Sequence, residues 1–152
     1  MEMPKHLAAA LTACFVTTGL LICSAVQARA DLKTLSLEPG FSTSPEVIQG
    51  KSGGLRETAD CGFVKAADAP DAVITLTQPF TTLRASVQAA GDVTMLIEGP
   101  NGRVCSDDVN GLMPEVTGSA PIGTYRIWIG DYVGQPESGF TYRLTLSEDS
   151  EG

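Results

Sequence analysis

The stretch Phe140-Thr141-Tyr142-Arg143-Leu144-Thr145-Leu146-Ser147 alternates apolar and polar residues without a break. A strand turns successive side chains to opposite faces, so a period of two marks an extended segment with one buried face. Thr82–Ala89 has the same period, with Leu83, Ala85, Val87 and Ala89 set against Thr82, Arg84, Ser86 and Gln88. Ala72–Thr77 repeats it, with Ile74 and Leu76 on the inward side. Val93–Glu98 and Thr124–Asp131 are more continuously apolar, as expected of central strands covered on both faces.

The residues between these segments are chain breakers. Gly99-Pro100-Asn101-Gly102 lies between Val93–Glu98 and a short strand at Arg103–Cys105, which predicts a hairpin. Gly91-Asp92 separates two strands, and Gly134-Gln135-Pro136-Glu137-Ser138-Gly139 separates the last two. Before Cys61 the pattern is less regular, with turns at Gly40-Phe41 and Pro45-Glu46, an edge strand at Val47–Gln49 and a loop at Ser52-Gly53-Gly54. No stretch after Ala30 has a helical period. The expected fold is all-β, an antiparallel β-sandwich or jelly roll, in a single domain over 31–152 with an acidic, frayed tail at 149–152.

The first 30 residues read differently. Lys5 precedes the apolar run Leu7–Val26, which closes on Ala28-Arg29-Ala30, the pattern of a cleavable secretory signal helix. The run is long enough for a retained anchor, but the small-residue ending favours cleavage. Cys23 follows Ile22, where a lipoprotein signal requires a small residue. The expected location is therefore the periplasm or cell exterior, with no stable membrane association after cleavage.

Cleavage also removes Cys14, Cys23 and His6, the only histidine. Without it, Ser-His-Asp and Cys-His catalysis and His-ligated zinc are excluded from the remaining domain. Cys61 and Cys105 are left, an even pair that in an exported chain predicts one disulfide. Closing a loop of about 45 residues contributes roughly 3–4 kcal/mol on the chain-entropy model. The pair lacks the Cys-x-x-Cys spacing of a redox site. Eight basic and seventeen acidic residues remain, a net charge of about −9. Such a surface repels phosphate backbones and anionic membranes, so no nucleic-acid partner is expected.

Chemistry concentrates in Cys105-Ser106-Asp107-Asp108-Val109-Asn110-Gly111, which opens a loop expected to run to Pro121. Two adjacent carboxylates and an amide oxygen in one tethered turn suit a hard cation such as Ca2+, which takes several oxygens at about 2.3–2.6 Å. Asp92, Glu115 and Asp131 are further candidate ligands. Asp-Asp and Asn-Gly are also ordinary turn residues, and EF-hand spacing is absent. On Thr124–Asp131, Arg126 and Trp128 share the face opposite Tyr125, Ile127 and Ile129. There Trp128 either stacks on a sugar or partner beside Arg126, or covers the second face of a central strand. A carboxylate-based hydrolase is the enzymatic alternative, with Glu98 or Glu115 as second member, but adjacent Asp107 and Asp108 do not oppose each other across a sugar.

A longer pattern emerges in the order Pro39-Gly40-Phe41, Gly53-Gly54, Cys61-Gly62-Phe63, Pro70-Asp71, Asp92-x-Thr94-x-Leu96, Gly99-Pro100-Asn101-Gly102, Cys105-x-Asp107-Asp108 and Gly123-Thr124-Tyr125-x-Ile127-Trp128-Ile129-Gly130. Over Leu37–Glu148 this resembles small secreted bacterial proteins related to the pre-peptidase C-terminal (PPC) domain, some of which carry the label "peptidase S1" without a peptidase module. The resemblance implies a β-sandwich or jelly roll that assists secretion, substrate docking or calcium binding, with Asp92, Asp107 and Asp108 as the acidic cluster. Met95, Arg126 and Met113-Pro114 depart from the pattern. The functional expectation is a non-catalytic binding or accessory domain, calcium-stabilised, with a protein or glycan partner.

Overall fold

The computed structural model describes residues 32–134 and 139–148. The signal helix expected over 1–30 and the tail at 149–152 lie outside the described residues. Among the described residues all regular structure is β. The strands are β1 (Lys33–Leu37), β2 (Glu46–Lys51), β3 (Arg56–Glu57), β4 (Phe63–Val64), β5 (Ala72–Leu76), β6 (Phe80–Ala89), β7 (Val93–Gly99), β8 (Gly102–Ser106), β9 (Glu115–Ala120), β10 (Gly123–Asp131) and β11 (Thr141–Glu148).

They form two sheets. In the four-stranded sheet the order is β2-β11-β6-β9, antiparallel throughout. The seven-stranded sheet is built on β10, whose first half pairs with β5 and whose second half pairs with β7 and, at Asp131, with β4. Two sequence expectations are corrected here. The sheet is not wholly antiparallel, because β1 runs parallel to β5 from Lys33↔Ala72 to Leu37↔Leu76. The loop expected between Cys105 and Pro121 is interrupted by β9, an edge strand in which Val116 packs against the core while Thr117, Gly118 and Ser119 are exposed.

The alternating residues meet between the sheets. Ile74, Leu76, Met95, Ile127 and Ile129 from one sheet pack with Val87, Leu144, Leu146 and Ile48 from the other. Burying one such side chain contributes about 1.5–3 kcal/mol. Met95 is therefore a core residue, which explains its departure from a polar pattern.

The outer face of the larger sheet has a second core. Register places Cys105 beside Leu96 and Leu96 beside Trp128, in one row across β8, β7 and β10. With Val64 and Cys61 these residues form a separate buried cluster. Cys61 and Cys105 are joined, with Cα atoms 5.7 Å apart. The β3–β4 segment closes over this row: Trp128 Nε1 donates to Ala66 O at 3.1 Å, and the Arg56 guanidinium lies 5.2 Å from the indole centroid. Trp128 is 0% exposed. It covers the second face of a central strand, and the alternative of an indole stacking on a ligand beside Arg126 is corrected by that burial.

Candidate functional site

The turn Gly99-Pro100-Asn101-Gly102 sets the register of the β7–β8 hairpin, pairing Met95 with Ser106. Continued past its last pair, that register carries Asp107 and Asp108 alongside the start of β7, where Asp92 sits. Asp92, Asp107 and Asp108 each present a carboxylate oxygen within 4.8 Å of the others. Asp108 holds φ at +49°, a left-handed conformation that Asp adopts more readily than most residues. This turn follows directly from β8, whose penultimate residue Cys105 is tethered by the disulfide.

The trio lacks compensating charge. Asp92 Oδ1 and Asp107 Oδ1 are both buried with no hydrogen-bond partner. The Tyr132 hydroxyl donates to Asp107 Oδ2. Partial desolvation, then repulsion from Asp108 and Asp107, raises the Asp92 carboxyl above its ordinary range. The bond to Asp107, desolvation and the nearby negative charges push the Tyr132 phenol up to about 12. A buried carboxylate oxygen without a donor is costly, and three carboxylates facing one another add repulsion. A cation relieves both.

The geometry also suits calcium. Oxygens on opposite sides of a calcium ion lie about 4.6–5.2 Å apart, twice the usual ligand distance, so carboxylate oxygens lying within 4.8 Å of one another are close enough to share one ion. Three carboxylates would hold it, with further oxygens coming from the backbone or solvent.

Other residues expected at this site have different partners. Glu115 Oε2 accepts from Arg84 at 2.6 Å and from Asn110 Nδ2 at 2.7 Å. Arg84 chiefly holds the Glu115 carboxyl below its ordinary range. Asp131 is buried at the end of β10, where its Oδ1 accepts from Val133 N at 3.1 Å. Its neighbour Gly53, at φ +79°, has no room for a Cβ against the Asp131 carboxylate. Glu115 and Asp131 thus stand outside the trio because each is already engaged locally. Asn110 links the loop to Glu115 through its amide.

Sequence reasoning missed a second acidic centre at Asp71. Its carboxylate accepts from Lys65, from Tyr142 OH at 3.0 Å and from Ile129 N at 2.9 Å. The Pro70-Asp71 turn immediately before β5 was the available signal. Asp71 and Tyr142 also line a cavity of about 960 Å³ with Lys51, Lys65 and Asp68. The trio does not line this cavity. It sits at the exposed end of a hairpin.

No protein-family model matches the sequence. Two solved structures are similar in shape: the pre-peptidase C-terminal domain of a Bacillus anthracis collagenase and Aeromonas hydrophila PliG, a periplasmic inhibitor of g-type lysozyme. The collagenase domain has a TM-score of 0.48 at 15% identity, covering 76% of this chain and 96% of that one. PliG has a TM-score of 0.39 at 16% identity, with the same coverage of 76% and 96%. In sequence, 104 residues are 40% identical to the uncharacterized protein Synpcc7942_2126 of Synechococcus elongatus, covering 66% of this chain and 73% of that protein. On that extent of shared sequence, the chain belongs to the same family as Synpcc7942_2126 of Synechococcus elongatus.

Proposed function

We propose that this chain is an exported, non-catalytic binding or accessory domain, PPC-like in character, whose β7–β8 hairpin end holds one calcium ion between Asp92, Asp107 and Asp108. The observation that carries this reading is the pair of buried, unpartnered oxygens, Asp92 Oδ1 and Asp107 Oδ1, within a cluster of converging carboxylates. Export is supported by the Ala28-Arg29-Ala30 ending of the leading apolar run and by the Cys61–Cys105 disulfide, a bond that persists in oxidising compartments. A non-catalytic role is supported by the single histidine lying at position 6, just ahead of that run and within the expected signal. It is also supported by the trio's place on a hairpin end rather than in the concave pocket typical of an active site.

Thermal melting in EDTA and in about 10 mM calcium tests the metal. Extracellular calcium modules bind with Kd of about 10⁻⁴–10⁻³ M, so about 10 mM calcium adds roughly 1.4–2.7 kcal/mol to the folded state. In a domain of this size Tm should rise by roughly 5–20 °C. The double variant Asp107→Asn plus Asp108→Asn should lose that rise while still folding in EDTA. A wild-type Tm indifferent to calcium would remove the metal from the proposal. Turnover of a protein or glycan substrate that disappears in the double variant would replace it with the hydrolase reading.

A further inference from the structure

β8 and β9 are outer strands of different sheets, since β8 pairs only with β7 and β9 only with β6. They are joined at one end, where the Ser106 hydroxyl donates to Glu115 O at 2.8 Å and accepts from Glu115 N at 3.0 Å. Away from that junction an apolar slot of about 210 Å³ opens between the sheets, with Ile97, Val104, Val116, Ala120 and Tyr125 among its walls.

The free edge of β9 runs along this slot. Val87 N donates to Pro114 O at 3.1 Å, which sets the phase of the β6–β9 ladder. Antiparallel pairing alternates residues that bond the neighbour with residues whose backbone groups face away. Val116 and Gly118 therefore turn their N–H and C=O toward β6, while Glu115 and Thr117 turn theirs outward; beyond Gly118 the register shifts. Ser106 takes up those of Glu115, in agreement with this phase. The outward groups of Thr117 have no partner among the described residues.

We propose that the β9 edge accepts an extended, basic peptide segment as an added strand, with one apolar side chain of that segment seated in the slot. An unpaired row of backbone donors and acceptors is complementary to another strand. An inward-facing residue of a strand laid beside β9 points between the sheets, where the slot lies. The volume is below the roughly 300–1,000 Å³ of small-molecule sites and suits a single side chain. Val104, at the mouth, is 48% exposed. Charge decides the partner: the chain carries a net −8 and would repel a second copy of itself. This disfavours a second copy of the chain and favours a cationic segment.

The test uses the purified protein in EDTA, so that its result is independent of any ion at the trio. The probe is a labelled, end-capped heptapeptide, Lys-Thr-Val-Thr-Leu-Thr-Lys, compared with the same peptide N-methylated at alternate residues to remove its pairing donors. Saturable binding by anisotropy is expected, with the Thr117 amide resonance shifting and the N-methylated peptide at least tenfold weaker. Val104→Asp, which puts a charge at the slot, and Thr117→Pro, which removes an outward donor without touching the β6 ladder, should each weaken binding at least tenfold. The N-methylated comparison keeps the test valid if either variant fails to fold. Equal affinity for the two peptides, or no binding up to about 1 mM, overturns the proposal. So does self-association of the protein that Thr117→Pro abolishes, because the edge then belongs to a second copy.

Discussion

Asp71 and Asp92 are both carboxylates whose protonation is favoured by their surroundings, yet they are opposites in what surrounds them. The Asp71 side chain is 1% exposed, but Lys65, Tyr142 and the Ile129 amide all donate to it. Desolvation is the largest influence on its proton affinity, and the Lys65 charge opposes it. Asp92 is less buried, yet it keeps a buried oxygen without a donor and faces two further carboxylates. Depth of burial therefore does not separate these two carboxylates. Completeness of partners does. The Asp71 carboxylate ties β11 to the opposite sheet through Tyr142, whereas Asp92 and Asp107 keep oxygens without a donor, the basis of the calcium proposal.

The comparison fails most visibly if Asp71 proves dispensable. Asp71→Ala should strand the Lys65 ammonium and the buried Tyr142 hydroxyl and Ile129 N–H, at a cost of about 3–5 kcal/mol. Urea denaturation should show the full loss in EDTA and in calcium alike, since no ion is involved. Asp71→Asn keeps an acceptor for Tyr142 and Ile129 and should cost less. A Tyr142→Phe change made in each background measures how much of the loss passes through that hydroxyl.

Much of the fold, though not the role of Asp71, is legible in the sequence, and the rest is hidden for identifiable reasons. Strands with a fully alternating pattern, such as β6 and β11, declared themselves because only one face is buried. Trp128 was ambiguous because period two assigns a face without saying whether anything covers it. The cover is the irregular β3–β4 segment, which carries no periodic signal. β9 carries no strand signal in the sequence because Thr117, Gly118 and Ser119 are exposed and poor markers of a strand. β1 shows the period in Leu35 and Leu37, but its parallel partner lies 39 residues on in sequence and no turn announces it. The convergence of Asp92 with Asp107 and Asp108 follows from the hairpin turn, so that part of the site was legible. The diversion of Glu115 to Arg84 depends on the β6–β9 register, which adjacent sequence does not specify.

A smaller effect, distinguished by its sign, is expected at Asp92. Its folded-state affinity for protons is raised, so without an ion the folded state holds more protons than the unfolded one at pH values just above the ordinary value of 3.8. Stability contributed by this group is present below that range and is lost as pH rises through the folded value. In EDTA at pH 7, Asp92→Asn should therefore raise Tm by a few degrees. In calcium the same variant loses a ligand and should lower it. Melting curves of wild type and variant that fail to cross between the two conditions would place Asp92 with Asp71 as a purely structural carboxylate.

The smallest effect concerns Tyr132, whose hydroxyl supplies Asp107 with the one side-chain donor the trio has among the described residues. In ion-free protein the phenol acts as a weak substitute for a cation, neutral but directed at a charged oxygen. Tyr132→Phe removes that hydrogen bond from Asp107, with a slight loss of Tm in EDTA. If calcium then binds Asp107 through the freed oxygen, the difference between wild type and variant should shrink as calcium is added. Ultraviolet titration gives an independent reading: the phenol pushed up to about 12 by Asp107 and its neighbours should fall toward the ordinary tyrosine value of 10.0 when a cation cancels that negative charge. A phenol unmoved by calcium would mean that the trio and Tyr132 form a closed polar cluster. The contrast with Asp71 would then be one of degree.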